Sequence, residues 1–123
     1  MLNKNLVLAL TLSYIVVLTI LSFISFGSSS MLDIDYGDKV FHFGAHTVLV
    51  LLLFCSFYKL KFSKALIFAA ITSVIYGIII EVLQGGLTIN RQFDVFDIIA
   101  NCSGMLIAVV ILRVYSKTIV KYL

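Results

Sequence analysis

The sequence predicts an all-α membrane protein, a bundle of four transmembrane helices with both termini on the cytoplasmic side. Three observations carry this. The 123 residues are 62% apolar and only 12% charged, where soluble domains run at about 45–50% and about 25%. Four runs are long enough to cross a hydrocarbon layer, which takes about 20 apolar residues. The few charges sort by sign between the two ends of those runs. With no Pro or Trp, two Cys and a mean hydropathy of +1.15, the chain is neither disordered, collagen-like nor a disulfide scaffold. Four spans fill it, so residues 1–123 form a single domain with no room for a soluble catalytic unit.

The first span runs from Leu6 to Phe26 without a charge. It exceeds the apolar core of a signal peptide, about 7–15 residues, and Ser25-Phe26-Gly27 lacks a small-x-small cleavage pattern, so it reads as a retained helix. The second runs from Val40 to Tyr58, the third from Ala65 to Leu83 and the fourth from Val95 to Tyr115. Gly27-Ser28-Ser29-Ser30 and Gly85-Gly86 read as breakers between spans. The apolar runs are continuous and not alternating, which excludes a membrane β-barrel.

Orientation follows from the bases, because Lys and Arg in short loops stay on the cytoplasmic side. Lys4, Lys59, Lys61, Lys64, Arg113, Lys117 and Lys121 fall on one side of a four-span chain; Lys39 and Arg91 fall on the other. All six acids (Asp33, Asp35, Asp38, Glu81, Asp94, Asp97) lie on the second side or in the outer half of a span. The net charge of +3 is therefore a topology signal and not a footprint for nucleic acid, which would interleave bases with stacking aromatics. Cys55 and Cys102 lie in opposite halves of their helices and read as small packing residues, not as a disulfide or zinc site.

The polar residues inside the spans are patterned. Asp38, His42 and His46 recur every four residues, so they stack on one helix face. Ser73, Gly77, Glu81 and Gln84, spaced 4, 4, 3, also share a face in the third helix, and Asp94, Asp97, Asn101, Gly104 and Ala108, spaced 3, 4, 3, 4, in the fourth. Each stripe has its polar members at the outer end, and the small residues Gly77, Gly104 and Ala108 let backbones approach closely. A carboxylate near the middle of a span costs about 2.5–3.5 kcal/mol on insertion scales, so such groups face a bundle interior and find partners. The expectation is an outward-facing polar pocket lined by Asp38, Lys39, His42, Glu81, Gln84, Arg91, Asp97 and Asn101, with Asp94 beside it.

Two chemistries fit these residue types. Glu81, His42 and Asp97 can act as general acid or base, with Asp38, Lys39, Gln84, Arg91, Asp94 and Asn101 holding a ligand, the two bases suiting an anionic head group. Alternatively Asp38, His42, His46, Glu81 and Asp97 could hold a divalent metal, since His at i and i+4 is workable ligand spacing. That signal lacks the intervening Glu of the His-Glu-x-x-His motif, and the sequence reading assigns no metal and no named cofactor. No nucleophile motif and no phosphate-cradling Gly loop is present.

The ordered set Asp38-Lys39-x-x-His42-Phe43, Tyr76-Gly77-x-x-x-Glu81-x-x-Gln84 and Arg91-x-x-Asp94-x-x-Asp97-x-x-x-Asn101-x-x-Gly104 resembles the VanZ-like membrane proteins, over residues 38–108. The sequence departs from the family pattern at His46, where the family more often has an aromatic, and in lacking a Pro before Arg91. The resemblance therefore does not imply a two-His metal site. It implies a multi-pass protein of the bacterial cytoplasmic membrane, in a family named for a member linked to glycopeptide (teicoplanin) resistance by a route that leaves peptidoglycan precursor termini unaltered. It supplies a setting, the cell envelope, and no particular reaction.

Three functions follow as expectations. The first is an outward-facing site that binds or modifies a lipid-linked envelope precursor, a lipoglycopeptide or another amphiphile from within the lipid bilayer; whether it is an enzyme stays open. The second is a proton- or ion-coupled transporter using Glu81 and His42, though neither a second gate nor an internal repeat is visible. The third is a structural or assembly module whose polar set only holds helices together.

Overall fold

The protein is described here by a computed structural model covering residues 1–24, 37–87 and 92–123. These form four helices, α1 (Lys4–Phe23), α2 (Gly37–Lys59), α3 (Ala65–Leu87) and α4 (Val95–Tyr122), with no strand among the described residues. All four are long and apolar enough to cross a membrane. Their outward faces carry large apolar side chains such as Leu12, Ile67, Ile75, Leu106 and Val110, as lipid contact requires and water would not tolerate.

Helix ends follow local chemistry. Asn3 caps α1 by accepting from the Asn5 N–H at 2.9 Å, and Asp94 caps α4 by accepting from the Phe96 N–H at 2.8 Å. The turn from α2 to α3 is a Schellman motif: the Phe62 N–H donates to the Phe57 carbonyl and the Lys61 N–H to that of Tyr58, both at 3.0 Å. Lys61 holds the left-handed position that closes it (φ 65°), and Phe62 packs on Phe57 with ring centroids 5.0 Å apart. Lys59 reaches across to the carbonyl of Leu123, so this turn and the C-terminus share one end of the bundle.

Several boundaries differ from the sequence reading: α1 ends at Phe23, with Ile24 extended, and not at Phe26, and α2 begins at Gly37 and not at Val40. Helix α4 continues to Tyr122 rather than stopping at Tyr115; its 28 residues span about 42 Å at the helical rise, more than the about 30 Å of an apolar layer, and its last turns carry Lys117 and Lys121. Helix α3 runs through Gly85-Gly86 to Leu87 instead of breaking there. A Cβ on Gly85 would lie 3.1 Å from Phe93, so that glycine marks a close approach of the chain entering α4, not a helix stop. The breaker at 27–30, Asp33, Asp35 and Arg91 lie outside the described residues.

Helix α2 is central and packs against α1, α3 and α4. Leu49, Val50, Leu53 and Phe54 of α2, Ala65 and Ala69 of α3, Ala108 and Leu112 of α4, and Leu18 of α1 form the apolar core. Gly104 sets the α2–α4 crossing: a Cβ there would collide with the Phe43 carbonyl oxygen, and the Thr47 hydroxyl donates to the Gly104 carbonyl at 3.1 Å. Helix α1 is held by polar contacts. The Thr11 and Ser56 hydroxyls pair at 2.8 Å, the Tyr14 hydroxyl donates to the Ala45 carbonyl at 2.9 Å, and the Thr19 and Tyr76 hydroxyls pair at 2.9 Å.

Candidate functional site

At the end of the bundle opposite the termini, the first turns of α2 and α4 and the last turns of α3 bring their polar stripes together. Lys39 Nζ donates to Asp94 Oδ2 at 2.6 Å and to Asp97 Oδ1 at 2.5 Å. His42 Nδ1 lies 3.1 Å from Asn101 Oδ1. The other ring nitrogen, Nε2, faces Asp97 Oδ2 at 3.5 Å and Asp38 Oδ1 at 3.7 Å. Glu81 Oε1 accepts from the Asp94 N–H at 2.7 Å. That contact depends on Gly85, one turn beyond Glu81 on the same face, because the bare Gly85 admits the Phe93-Asp94 backbone over Glu81.

Burial is graded. Glu81, Asn101, His42 and Asp97 are buried, while Lys39 and Asp94 are partly open and Asp38 is exposed on the rim. Two of the four carboxyl groups, Asp94 and Asp97, share the Lys39 ammonium. Asp38, Asp94 and Asp97 sit at helix N-termini, where the partial positive charge of the helix favours an anion. Lys39, hydrogen-bonded to it, and the Phe96 N–H it caps hold the Asp94 carboxyl below the usual carboxylate range.

Other residues of the predicted set lie apart. Gln84 Nε2 donates to the Ser22 carbonyl of α1 at 2.6 Å. His46 sits one turn deeper, with Nδ1 2.9 Å from Ser73 Oγ and its ring against Gly77. The hydroxyl of Tyr76 goes to Thr19 and not to the cluster. The arrangement is a packed polar network with an open rim at Asp38, Lys39 and Asp94.

The sequence reading passed over the apolar groove beside it. Lined by Val17 and Leu21 of α1 and Val40, Phe41, Gly44 and Val48 of α2, it has a volume of about 310 Å³. Its wall residues Val40 and Phe41 lie between the cluster residues Lys39 and His42, so adjoining faces of the same turns of α2 carry the polar cluster and the groove. Gly44 is the sequence signal, a small residue on an otherwise bulky face.

A family model described as VanZ/LLP1 matches residues 3–116. The chain belongs to the VanZ/LLP1 family. The match takes in α1, which the motif resemblance over residues 38–108 did not reach, and covers α2, α3 and most of α4. No curated protein and no solved structure matches the chain. Family membership and four membrane-length helices make this a multi-pass membrane protein.

Proposed function

We propose that this VanZ-family protein binds an amphiphilic, lipid-linked molecule of the bacterial cell envelope at the outer face of the cytoplasmic membrane. The observation that carries the reading is the juxtaposition on α2: an apolar groove between α1 and α2 next to a polar cluster at the outer end that the charge distribution predicts. A chain in the groove would present its head group to Lys39 and, on the sequence reading, to Arg91. If the bound molecule is also modified, His42, Asp97 and Glu81 are the acid–base groups at hand. Transport is less well supported, because Leu49, Val50, Leu53, Phe54, Ala69, Ala108 and Leu112 fill the bundle below the cluster.

The test uses a photoreactive polyprenyl phosphate reconstituted with the protein in phosphatidylcholine vesicles. Labelling is expected to concentrate on the segments around Val17 and Phe41. Gly44→Leu fills the groove, since a Cβ at Gly44 meets nothing within 4 Å, and it replaces a mid-helix glycine at a gain of about 0.8 kcal/mol in helix propensity. The variant is expected to fold at least as well and to lose most of the labelling. Equal labelling of the variant, or label spread evenly over all lipid-facing helices, refutes the reading.

A further inference from the structure

We propose that Asp38, His42 and Asp97 bind a divalent cation of the kind that accepts mixed nitrogen and oxygen ligands, such as Zn²⁺ or Mn²⁺. One ligand atom from each of the three lies within 4.8 Å of the other two. The proposal goes beyond the amphiphile reading and does not depend on it.

The argument starts from His42. Its side chain is 6% exposed, and its Nε2 has no hydrogen-bond partner. The opposite nitrogen, Nδ1, lies 3.1 Å from the Asn101 carbonyl oxygen, an acceptor that Nδ1–H can serve, and in that neutral tautomer Nε2 presents a lone pair. That lone pair points at two carboxylate oxygens, at 3.5 and 3.7 Å. In that tautomer Nε2 and the two carboxylate oxygens repel one another. Were Nε2 instead a charged donor, it would close on an oxygen to about 2.7–2.9 Å.

A cation between the three atoms removes the repulsion, and the spacing suits it. Ligands about 2.1 Å from a tetrahedral ion stand about 3.4 Å from each other, which is close to the two separations from Nε2, 3.5 and 3.7 Å, while the two carboxylate oxygens lie within 4.8 Å of each other. Asp38, 45% exposed on the first turn of α2, is the outermost of the three ligands. The surroundings are those of a metal site. Asn101 fixes the orientation and tautomer of the histidine, and Lys39 holds the second oxygen of Asp97, as outer-shell partners orient ligands in such sites. Imidazole with carboxylates selects a first-row transition ion or Zn²⁺ over Ca²⁺ and Mg²⁺, which prefer all-oxygen shells. Three protein ligands would leave room in a tetrahedral shell for one water or ligand oxygen. His46 and Glu81 are not part of this set, because Ser73 and the Asp94 N–H take them up.

The test is equilibrium dialysis of the full chain in detergent, stripped with chelator and titrated with Zn²⁺ and separately with Mn²⁺, metal being counted by elemental analysis. One ion per chain is expected for at least one of the two metals, with a rise in melting temperature on binding. Loss of a ligand in Asp38→Asn or His42→Ala is expected to weaken binding about tenfold or more, while His46→Ala keeps wild-type affinity. Asp38→Asn is the milder of the two, since its side chain lies 45% exposed on the rim, and the apo-protein melt of each variant is measured beside its metal binding, only a small shift being expected for Asp38→Asn from the lost charge at the helix start. No bound metal with either ion, or wild-type affinity in Asp38→Asn, overturns the proposal; so does loss of binding in His46→Ala at a wild-type melting temperature.

Discussion

Replacing Lys39 by Met probes the network most directly. The ammonium serves two carboxylates of different exposure. Asp94 is 37% exposed, so solvent screens it and losing that arm costs about 0–1 kcal/mol. Asp97 is 6% exposed, and removing its partner leaves a buried carboxylate uncompensated, an effect of about 3–5 kcal/mol in fully buried pairs. Because Lys39 itself keeps 29% exposure, the lower end applies, and Lys39→Met is expected to destabilise the protein by about 3 kcal/mol. Adding Asp97→Asn to that variant removes the stranded charge and should restore about 2 kcal/mol, so the two substitutions are strongly non-additive. The measurement is equilibrium unfolding in mixed detergent and SDS micelles, with chelator present to keep any metal out of the cycle. A loss below about 0.5 kcal/mol for Lys39→Met, or additive effects in the double variant, would show that Lys39 and Asp97 are not the coupled pair that the geometry describes.

Two further substitutions test the scaffold. Gly104→Ala drives a methyl group into the Phe43 carbonyl and should cost about 1–3 kcal/mol by overpacking, read in the same unfolding assay; a neutral result would mean that α2 and α4 do not cross there. Lys61→Gly relieves a left-handed residue and should stabilise the α2–α3 turn by about 1 kcal/mol, with the opposite sign expected if the turn is not a Schellman motif.

The fold was legible because its signals are long and one-dimensional. Four apolar runs, and polar stripes at helical spacing in the last three, are properties of the chain itself, and Gly77, Gly104 and Ala108 do lie where helices meet. What was not legible depends on partners distant in sequence. Gly85 reads as a breaker because nothing near it reveals that Phe93 will lie against it. Gln84 has the spacing of a cluster residue, yet its amide goes to α1, because Ser22 offers a carbonyl and periodicity carries no information about a neighbouring helix. The anchoring of α1 had a faint signal: Val7, Thr11, Leu18 and Ser22 fall on one face, but isolated hydroxyls in an apolar helix look bland until Ser56 and Tyr76 are seen opposite Thr11 and Thr19.

How much of the cluster exists only to hold helices together can be judged residue by residue. Asp94 caps α4 and pairs with Lys39; Lys39 also neutralises Asp97, and Glu81 receives the Asp94 N–H that would otherwise be left at the helix start. Those contacts have a structural explanation, and a purely stapling role would be sufficient for them. His42 does not fit it. A residue selected only to join α2 to α4 would make that link through Asn101 and turn an apolar face elsewhere, because a buried acceptor without a donor costs about 1–3 kcal/mol. Instead Nε2 makes no hydrogen bond and is aimed between two carboxylate oxygens at 3.5 and 3.7 Å. Stapling α2 to α4 does not call for that placement, whereas a site that receives something positive at that point, a proton or a cation, does.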